Sequence, residues 1–288
     1  MRPKTIGLIA HTGKAAALEL IPELGREFAA AGVRVILEDI TSEACQLKDG
    51  QPLAQLAKAA DLLVVLGGDG TILNVVARLG TELKPIFGIN VGSLGFLTCA
   101  GSTGRKETVA SIAQGKISFS RRTLLEIQLR NPGAEPVTSI AMNDVVISRG
   151  EISRLVRLRT TVDGEVLTEF NADGLIIATP TGSTAYSLSA GGPILEPRSG
   201  VFVITPICPH VLTNRSLIVS DDAEIVVEAI ERSYPVFLTV DGRDPVAVET
   251  GGTITMRKST QHLELAVLPD VSFFSVLRHK LKWTGSNV

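Results

Sequence analysis

A short apolar run that opens into a glycine-rich loop sets the strongest limit on the possible folds of this chain. Residues 61–66 read Asp-Leu-Leu-Val-Val-Leu, which predicts a buried strand, and residues 67–71 follow as Gly-Gly-Asp-Gly-Thr. Residues 72–79 then show helical spacing. Strand, glycine loop and helix in this order are the usual place for phosphates in α/β folds, because glycine lets the backbone approach a charged ligand closely. The alternative is an ordinary glycine-rich corner between a strand and a helix.

The first third of the chain alternates between strand and helix patterns. Strands are predicted at residues 5–10, 33–37, 61–66 and 85–89, and helices at residues 15–31, 52–59 and 72–79. This β-α-β order favours a Rossmann-like parallel sheet that is covered by helices.

Beyond about residue 118 the pattern changes to short runs rich in β-branched residues and separated by turn signals. The predicted strands are 124–129, 145–148, 155–162, 175–178, 201–205, 224–228, 236–240 and 263–268. Helical spacing returns at residues 271–283. We therefore predict an α/β domain of residues 1–118 plus 271–288, and an antiparallel β-rich domain of residues 119–270.

The composition of the chain limits the kinds of molecule that it can bind and the compartment in which we expect it. A net charge of −2 over 288 residues offers no basic surface for nucleic acid or an anionic membrane, so we expect neither. Cys45, Cys99 and Cys208 are odd in number and widely spaced, which favours reduced thiols over disulfides or a zinc site. No apolar run approaches the ~18 residues of a membrane span, and the first residues lead straight into a predicted strand. We expect a cytoplasmic protein.

The glycine loop matches neither of the two commonest nucleotide fingerprints. Gly68-Asp-Gly70 lacks the last glycine of Gly-x-Gly-x-x-Gly. Gly13-Lys14 resembles part of a P-loop, but Leu8 replaces the first glycine and Ala15 the magnesium-binding hydroxyl. A carboxylate between glycines instead suits removal of a proton from a hydroxyl that attacks phosphorus. Asp69 is therefore the candidate general base.

Two further loops are candidates for ligand contact. Residues 90–97 read Asn-Val-Gly-Ser-Leu-Gly-Phe-Leu and follow the next predicted strand, so they form either a tight loop or a wall of the ligand site. Asn143-Asp144 precedes another strand and is a turn by default. In a binding site, the Asn143 amide could pair with an adenine edge while Asp144 accepts hydrogen bonds from ribose hydroxyls.

The stretch 179–193 is dense in Gly, Ser and Thr and lies between two apolar strands. Its hydroxyls, free amides and one aromatic ring, that of Tyr186, suit a polar ligand. Residues 240–243 read Val-Asp-Gly-Arg between two apolar runs, which is the strongest short signal for a β-hairpin. Asp241 or Arg243 could also face the ligand.

Together these motifs resemble the NAD kinase family, in its order and approximate spacing and over nearly the whole chain. The resemblance lies in Gly67-Gly-Asp-Gly-Thr71, Asn143-Asp144, Asp173-Gly-Leu175, Thr179-Pro-Thr-Gly-Ser-Thr-Ala-Tyr186, Thr205-Pro-Ile-Cys-Pro-His210 and the segment 273–283. Diacylglycerol kinases, sphingosine kinases and phosphofructokinases share the Gly-Gly-Asp-Gly core. The run from Thr179 to Tyr186 makes the resemblance specific.

The resemblance implies transfer of the ATP γ-phosphate to the adenosine 2′-hydroxyl of NAD, with Asp69 as base and Mg²⁺ on the donor phosphates. It also implies a homodimer or homotetramer and a last helix that packs on the first domain. With the turn residues above, the candidate residues for substrate and cofactor binding are Gly67, Gly68, Gly70, Thr71, Asn143, Asp144, Arg154, Asn171, Asp173, Thr184, Ala185, Tyr186, Ser187, Leu188, Ser189, Asp241 and Arg243.

Three positions depart from parts of the family. Position 144 is Asp where many members carry Glu, Asn171 stands where some relatives have a basic residue, and Arg243 stands where some have Gln. Two alternatives remain beside the NAD kinase interpretation. One is a lipid kinase built on the shared glycine loop, which would need a basic or apolar membrane-facing segment. The other is a non-catalytic NAD(P)(H) sensor, which would have little need for the acid in the loop.

Overall fold

The computed structural model describes residues 2–92, 95–101, 104–150, 155–211, 213–230 and 235–283. Contacts divide the chain into two compact units, Met1–Arg121 with Leu263–Val288, and Arg122–His262. The bounds of these units differ by a few residues from those of the predicted domains. The predicted domain bounds themselves stay a prediction.

The first unit is built on a parallel sheet. Its elements are β1 (Thr5–Ala10), α1 (Ala15–Ala30), β2 (Arg34–Leu37), α2 (Asp39–Ala44), α3 (Leu53–Ala59), β3 (Leu62–Gly67), α4 (Asp69–Leu79), β4 (Ile86–Asn90), β5 (Ala100–Gly101) and α5 (Arg105–Ala113). The strand order is β4-β3-β1-β2, and all pairs are parallel. All six residues of β3 are buried because helices cover both faces of the sheet. The predicted parallel α/β fold is confirmed.

The spacing of apolar residues explains why the longest helix of this unit forms. In α1 the buried residues are Ala17, Ile21, Leu24 and Phe28, which recur every three or four positions and form one apolar stripe. These side chains join the strands in a single hydrophobic core. Helices α2 and α5 were not predicted; α2 is only 6 residues long and its segment is largely polar.

One predicted boundary is wrong at a place that matters for function. Helix α4 begins at Asp69, three residues before the predicted start. Gly68 before it is extended, with φ −108° and ψ −172°, and the helix turns immediately afterwards. A carboxylate in the first turn interacts favourably with the helix dipole, which compensates for the poor helix propensity of Gly70. Asp69, Gly70 and Thr71 are therefore the first turn of a helix and not a loop.

The second unit is antiparallel and β-rich, as predicted. Its elements are β6 (Ser118–Arg130), β7 (Val137–Ala141), β8 (Asp144–Arg149), β9 (Val156–Val162), β10 (Glu165–Ala172), β11 (Gly174–Ala178), α6 (Tyr186–Ser189), β12 (Val201–Ile207), β13 (Leu217–Ser220), β14 (Ile225–Ala229), β15 (Val236–Val240), β16 (Val246–Val248) and β17 (Thr253–Val267). One sheet has the order β13-β12-β11-β8-β15-β16, and a second contains β10-β9-β14-β17. Alternate side chains of both sheets form one core, as in a β-sandwich.

The end of the chain returns to the first unit. Leu265 and Ala266 of β17 pair in parallel with β4, and helix α7 (Phe273–Lys280) follows. A capping box between Ser272 and Ser275 begins α7, and the helix buries Val276 within the first unit. The expected return of the last helix to the N-terminal segment is confirmed. No helix in the described part of the chain is both long and apolar enough to cross a membrane.

The core of the first unit yields a stability prediction with a matched control. Leu24 is fully buried, whereas Leu47 is 40% exposed. We expect Leu24→Ala to lower the free energy of unfolding by about 2–5 kcal/mol, since it leaves a cavity in a packed core. Leu47→Ala should cost less than about 1 kcal/mol. Urea unfolding of both variants measures the difference, and equal losses would contradict the proposed position of the core.

Candidate active site

The glycine loop of the first unit joins β3 to α4 through contacts that only glycine permits. A Cβ atom at Gly67 would lie 2.2 Å from the Thr71 hydroxyl oxygen, so this turn requires glycine. The Thr71 amide donates to the Gly68 carbonyl oxygen. The two preceding amides, of Asp69 and Gly70, have no acceptor within the helix by its geometry. A helix start with free amides is a place where phosphate oxygens bind.

The Asp69 carboxylate is held in place by the second glycine loop. Its Oδ2 atom accepts a hydrogen bond from the Phe96 amide at 2.9 Å, and its Oδ1 atom accepts one from the Leu97 amide at 3.0 Å. A Cβ atom at Gly95 would lie 1.9 Å from Asp69 Oδ1. The loop at residues 90–97 was interpreted as a tight loop or a ligand wall. Its described residues support the one acid of the first glycine loop, and the sequence offered no pattern that identified this partnership.

A second polar site lies in the second unit where β8 begins. Ala178, the last residue of β11, pairs with Asp144. Thr179 follows β11, and its hydroxyl donates to the Met142 carbonyl oxygen at 2.6 Å while its amide donates to the Asn143 carbonyl oxygen at 2.9 Å. These bonds hold Asn143 and Asp144 beside the start of the stretch 179–193. The family resemblance assigns both segments to one ligand, but the pairing of β8 with β11 that brings them together leaves no local pattern in the sequence.

The Asp241-Gly242 turn also holds the Asn143-Asp144 backbone, through the strand that pairs with β8 on the side opposite to β11. The predicted hairpin of β15 and β16 is confirmed, and Asp241 and Gly242 both have positive φ, at 49° and 69°. The Asp241 carboxylate accepts hydrogen bonds from the amides of Met142, Asn143 and Asp144 at 2.8–3.0 Å. Asp241 therefore positions the Asn143-Asp144 backbone.

Arg243 is also engaged within the protein. Its guanidinium donates to the Val240 and Ile140 carbonyl oxygens and to the Ser139 hydroxyl, all at 2.8–2.9 Å. These bonds tie the turn to β7. Direct contact of Arg243 with a ligand stays a prediction.

The Asp144 side chain has an unusual electrostatic environment. It is 5% exposed, and burial, together with the nearby Asp241 carboxylate, raises the pKa of Asp144 to about 7 against a smaller opposing effect of the hydrogen bond from the Tyr186 amide. Burial also raises the pKa of Asp241, although the three amide donors and Arg243 favour its charged form. Two neighbouring buried acids give this site a charge that changes near neutral pH.

Neighbouring groups are suited to contact with a ligand. The Asn143 Oδ1 atom is buried and accepts no hydrogen bond from any described residue. Tyr186 is 47% exposed at the start of α6, so its ring is available for stacking. Thr184 and Ala185 are partly buried, Leu188 is half-buried and Ser189 is exposed. Ser187 is buried and bonded to the Thr205 hydroxyl at 3.1 Å, so it is a structural member of this group.

Not all of the predicted ligand-binding residues of the second unit lie near Asp144. Asp173 precedes Gly174, which is the end of β11 away from Asp144, and about 13 Å of strand separate the two ends at ~3.3 Å per residue. There Asp173 forms an ion pair with Arg149 at 2.8 Å, and the Asn171 carbonyl oxygen accepts a hydrogen bond from the His210 amide. Arg154 lies outside the described residues.

The fold and the two polar sites define a class of protein before any comparison. A fixed carboxylate beside free amides at a helix start suits phosphoryl transfer to a hydroxyl group, the reaction of kinases that use a carboxylate base. The family model for the ATP-NAD kinase N-terminal domain matches residues 6–117, and the model for the ATP-NAD kinase C-terminal domain matches residues 142–268. The chain belongs to the NAD kinase family.

Relatives and solved structures agree with this assignment. The chain is 40% identical to the NAD kinase of Geotalea daltonii over 97% of this chain and 99% of that protein, and 38% identical to the NAD kinase of Solibacter usitatus over 97% and 98%. The structure of yeast NADH kinase complexed with NADH matches with a TM-score of 0.90 at 28% identity, covering 100% of this chain and 90% of the other.

A second solved structure matches over the whole chain as well. The NAD kinase from Archaeoglobus fulgidus in complex with ATP has a TM-score of 0.75 at 25% identity, and the match covers 98% of this chain and 100% of the other. The comparisons support the kinase interpretation, and they do not favour the lipid kinase or the sensor.

The buried Asp144 generates a prediction on stability and pH. Because its pKa rises from an ordinary value near 4 to about 7 on folding, the folded state holds the proton more tightly. The stability that this proton contributes is complete below about pH 4 and is lost as the pH rises through about 7. Relative to wild type, Asp144→Asn should therefore gain on the order of 4 kcal/mol between pH 4 and pH 8.

Urea unfolding at several pH values measures this gain. The control is Asp244→Asn, since Asp244 is exposed and lies in the same hairpin. If the difference in free energy of unfolding between Asp144→Asn and wild type does not change with pH, the pKa of Asp144 is not raised on folding.

Proposed function

We propose that this protein is an NAD kinase that transfers the γ-phosphate of ATP to the adenosine 2′-hydroxyl of NAD. The observation that carries this proposal is the Asp69 carboxylate, which two backbone amides hold at the start of α4. We infer the substrates from family membership, since relatives at about 40% identity over nearly the whole chain are NAD kinases.

Asp69 is the proposed general base. Each of its oxygens accepts one backbone hydrogen bond and keeps a second lone pair that can accept a proton. As the 2′-oxygen forms a bond to the γ-phosphorus, the bond from that phosphorus to the β,γ-bridging oxygen breaks and ADP leaves. The hydroxyl proton passes to Asp69. The amides that fix the carboxylate keep it in one orientation, so little reorganisation is needed during the reaction.

The second unit supplies the proposed binding groups for the dinucleotide. The unpartnered Asn143 Oδ1 atom can accept a hydrogen bond from the exocyclic amine of adenine, and the Asp144 carboxylate can accept hydrogen bonds from ribose hydroxyls. The exposed ring of Tyr186 can stack on a base. Thr184, Ala185 and Ser189 remain proposed contacts of the same ligand.

Mg²⁺ is proposed as the companion of the donor phosphates. No group of three or more His, Cys, Asp or Glu side chains within the described ranges could hold a metal ion by itself. This is no objection to Mg²⁺, which keeps several waters and binds through one or two carboxylates plus substrate phosphates. The donor phosphates would hold the ion, whose charge would offset the negative charge on the transferring phosphate, and no residue of the chain is assigned to it.

A homodimer or homotetramer in the cytoplasm completes the proposal. Cys45, Cys99 and Cys208 are free thiols, in agreement with a reducing compartment.

The central test removes the base but keeps its shape. We expect Asp69→Asn to fold and to bind NAD like the wild type, while NADP formation falls at least about 100-fold, since general-base catalysis contributes about that much or more. Purified protein is incubated with NAD, ATP and magnesium, and NADP is measured with a strictly NADP-dependent dehydrogenase. Turnover like that of the wild type would remove Asp69 from its proposed role.

A second test displaces the base without changing it. Gly95→Ala introduces a methyl group at 1.9 Å from the Asp69 carboxylate, so the carboxylate must leave its two amide donors. We expect the turnover number to fall about 10- to 100-fold, because misplacement of about 1 Å costs this much. Gly25→Ala is the control: Gly25 lies within α1 of the same unit, and a methyl group there would meet no atom within 4 Å. Equal turnover of Gly95→Ala and Gly25→Ala would show that the position of the carboxylate is unimportant.

A further inference from the structure

The loop that supports Asp69 is closed by one buried hydroxyl group. Thr98 is 2% exposed, and its Oγ1 atom accepts a hydrogen bond from the Gly95 amide at 2.8 Å. The same oxygen accepts a second hydrogen bond from Asn90 Nδ2 at 3.2 Å. Asn90 is itself 3% exposed. A hydroxyl oxygen has two lone pairs, so these two bonds use its full capacity as an acceptor.

The hydrogen bond from Gly95 to Thr98 spans the two residues whose amides bind the carboxylate. Phe96 and Leu97 lie between them in sequence, and their amides donate to the two Asp69 oxygens at 2.9 and 3.0 Å. The Thr98 hydroxyl therefore closes a tight turn, and consecutive amides of such a turn can point together at one anion. This pair of donors depends on the shape of the turn.

Strand β4 gives this turn a fixed base. Asn90 is the last residue of β4, where it pairs in register with Gly67 at the end of β3. The chain returns to the same strand after the turn, because the Cys99 amide donates to the Gly88 carbonyl oxygen at 3.1 Å. A Cβ atom at Gly88 would lie 3.1 Å from the Thr98 Cα atom, so the missing side chain makes room for this return. Asn90 therefore connects Thr98 to the strand beside β3.

Burial makes the hydroxyl difficult to replace. Gly95 is also buried, and a buried amide that loses its acceptor carries an energetic cost that is relieved when the segment moves toward water. Valine has nearly the shape of threonine but offers no acceptor. With valine at position 98, the Gly95 amide and the Asn90 side-chain amide would both lose this partner. The turn would then open, and its two donors would leave the Asp69 carboxylate.

We propose that Thr98 is a positioning residue for phosphoryl transfer, which sets the orientation of Asp69 without contact with either substrate. Its hydroxyl is buried, and both of its hydrogen bonds are to groups of the protein. Asn90 supports the same hydroxyl from β4. The proposal rests on the proposed function, because it names the group that holds the base of that reaction in place. The competing interpretation is a threonine that only stabilises the fold.

Steady-state kinetics separate these two roles. We expect Thr98→Val to lower kcat for NADP formation about 10- to 100-fold, since misplacement of a catalytic group by about 1 Å costs this much. KM for NAD and KM for ATP should not change, because the substituted group touches neither substrate. Thr98→Ser keeps the hydroxyl and should recover most of the wild-type kcat. A Thr98→Ser variant as slow as Thr98→Val would overturn the proposal.

Thr108→Val is the matched control for the loss of a buried hydroxyl. Thr108 is 5% exposed in the same unit, and its hydroxyl donates to the Gly104 carbonyl oxygen at 3.1 Å at the start of α5. This variant leaves the turn at Gly95 intact, so kcat should stay at the wild-type value. An equal fall of kcat in Thr98→Val and Thr108→Val would contradict a specific role for Thr98.

A second background tests whether Thr98 acts through Asp69. When it is added to Asp69→Asn, Thr98→Val should cause no further fall in the residual rate, because the carboxylate that the turn holds is already gone. A further fall by the same factor as in the wild-type background would show a role that does not pass through Asp69.

Asn90→Ala is the second variant, which keeps the test open if Thr98→Val does not fold. It removes only the side-chain donor from β4 and leaves the hydrogen bond from Gly95 to Thr98 in place. We expect a smaller fall of kcat than in Thr98→Val, with both KM values unchanged. A wild-type kcat in Asn90→Ala would contradict the proposed support from β4.

Hydrogen exchange of the free protein keeps this proposal separate from the proposed function. Exchange of the Phe96 and Leu97 amides, followed by NMR, should be at least about tenfold faster in Thr98→Val than in wild type, because hydrogen bonds to Asp69 protect these amides. Thr98→Ser should exchange like the wild type, and the amides of β3 should keep their rates in both variants. If wild-type protein forms no NADP, the proposed function fails while these rates still decide the role of Thr98. Equal exchange of the two amides in Thr98→Val and wild type would overturn the proposal.

Discussion

The turn between β3 and α4 is the constraint on which the first unit depends. β3 is buried along its whole length between β1 and β4, so its end is fixed in the middle of the sheet. The close approach of Gly67 to Thr71 then lets the helix begin at once, with Asp69 in its first turn. A residue with a side chain at position 67 could not make this turn. The position of the acid therefore follows from packing of the strand and from a missing Cβ atom.

Both units use a carboxylate and backbone amides to hold a loop. In the first unit the amides of Phe96 and Leu97 hold Asp69, which keeps the proposed base in one place. In the second unit the Asp241 carboxylate holds the amides of residues 142–144, and it thereby presents Asn143 and Asp144. Hydrogen bonds to a charged group are among the stronger ones, which suits them to the support of functional side chains.

Much of the fold could be predicted because it rests on local patterns. The parallel α/β segment, the antiparallel segment and the hairpin at Asp241-Gly242 follow from hydrophobic periodicity and turn chemistry, which neighbouring residues set by themselves. The start of α4 was placed too late because Asp69 and Gly70 are poor helix formers in isolation. The long strands β6 and β17 were predicted only in part, since their polar ends pair with strands far away in the chain.

The residue types of the candidate site were readable from the sequence: an acid among glycines, an Asn-Asp pair, and a polar stretch with one tyrosine. Their partners were not, because each partnership joins segments that are distant along the chain. Asp69 meets residues 96 and 97, and Asp241 meets residues 142–144, only after the strands between them have paired. Local chemistry identified the candidate groups, whereas burial and long-range hydrogen bonding set their orientation and raised the pKa of Asp144, since both depend on which surfaces the folded chain brings together.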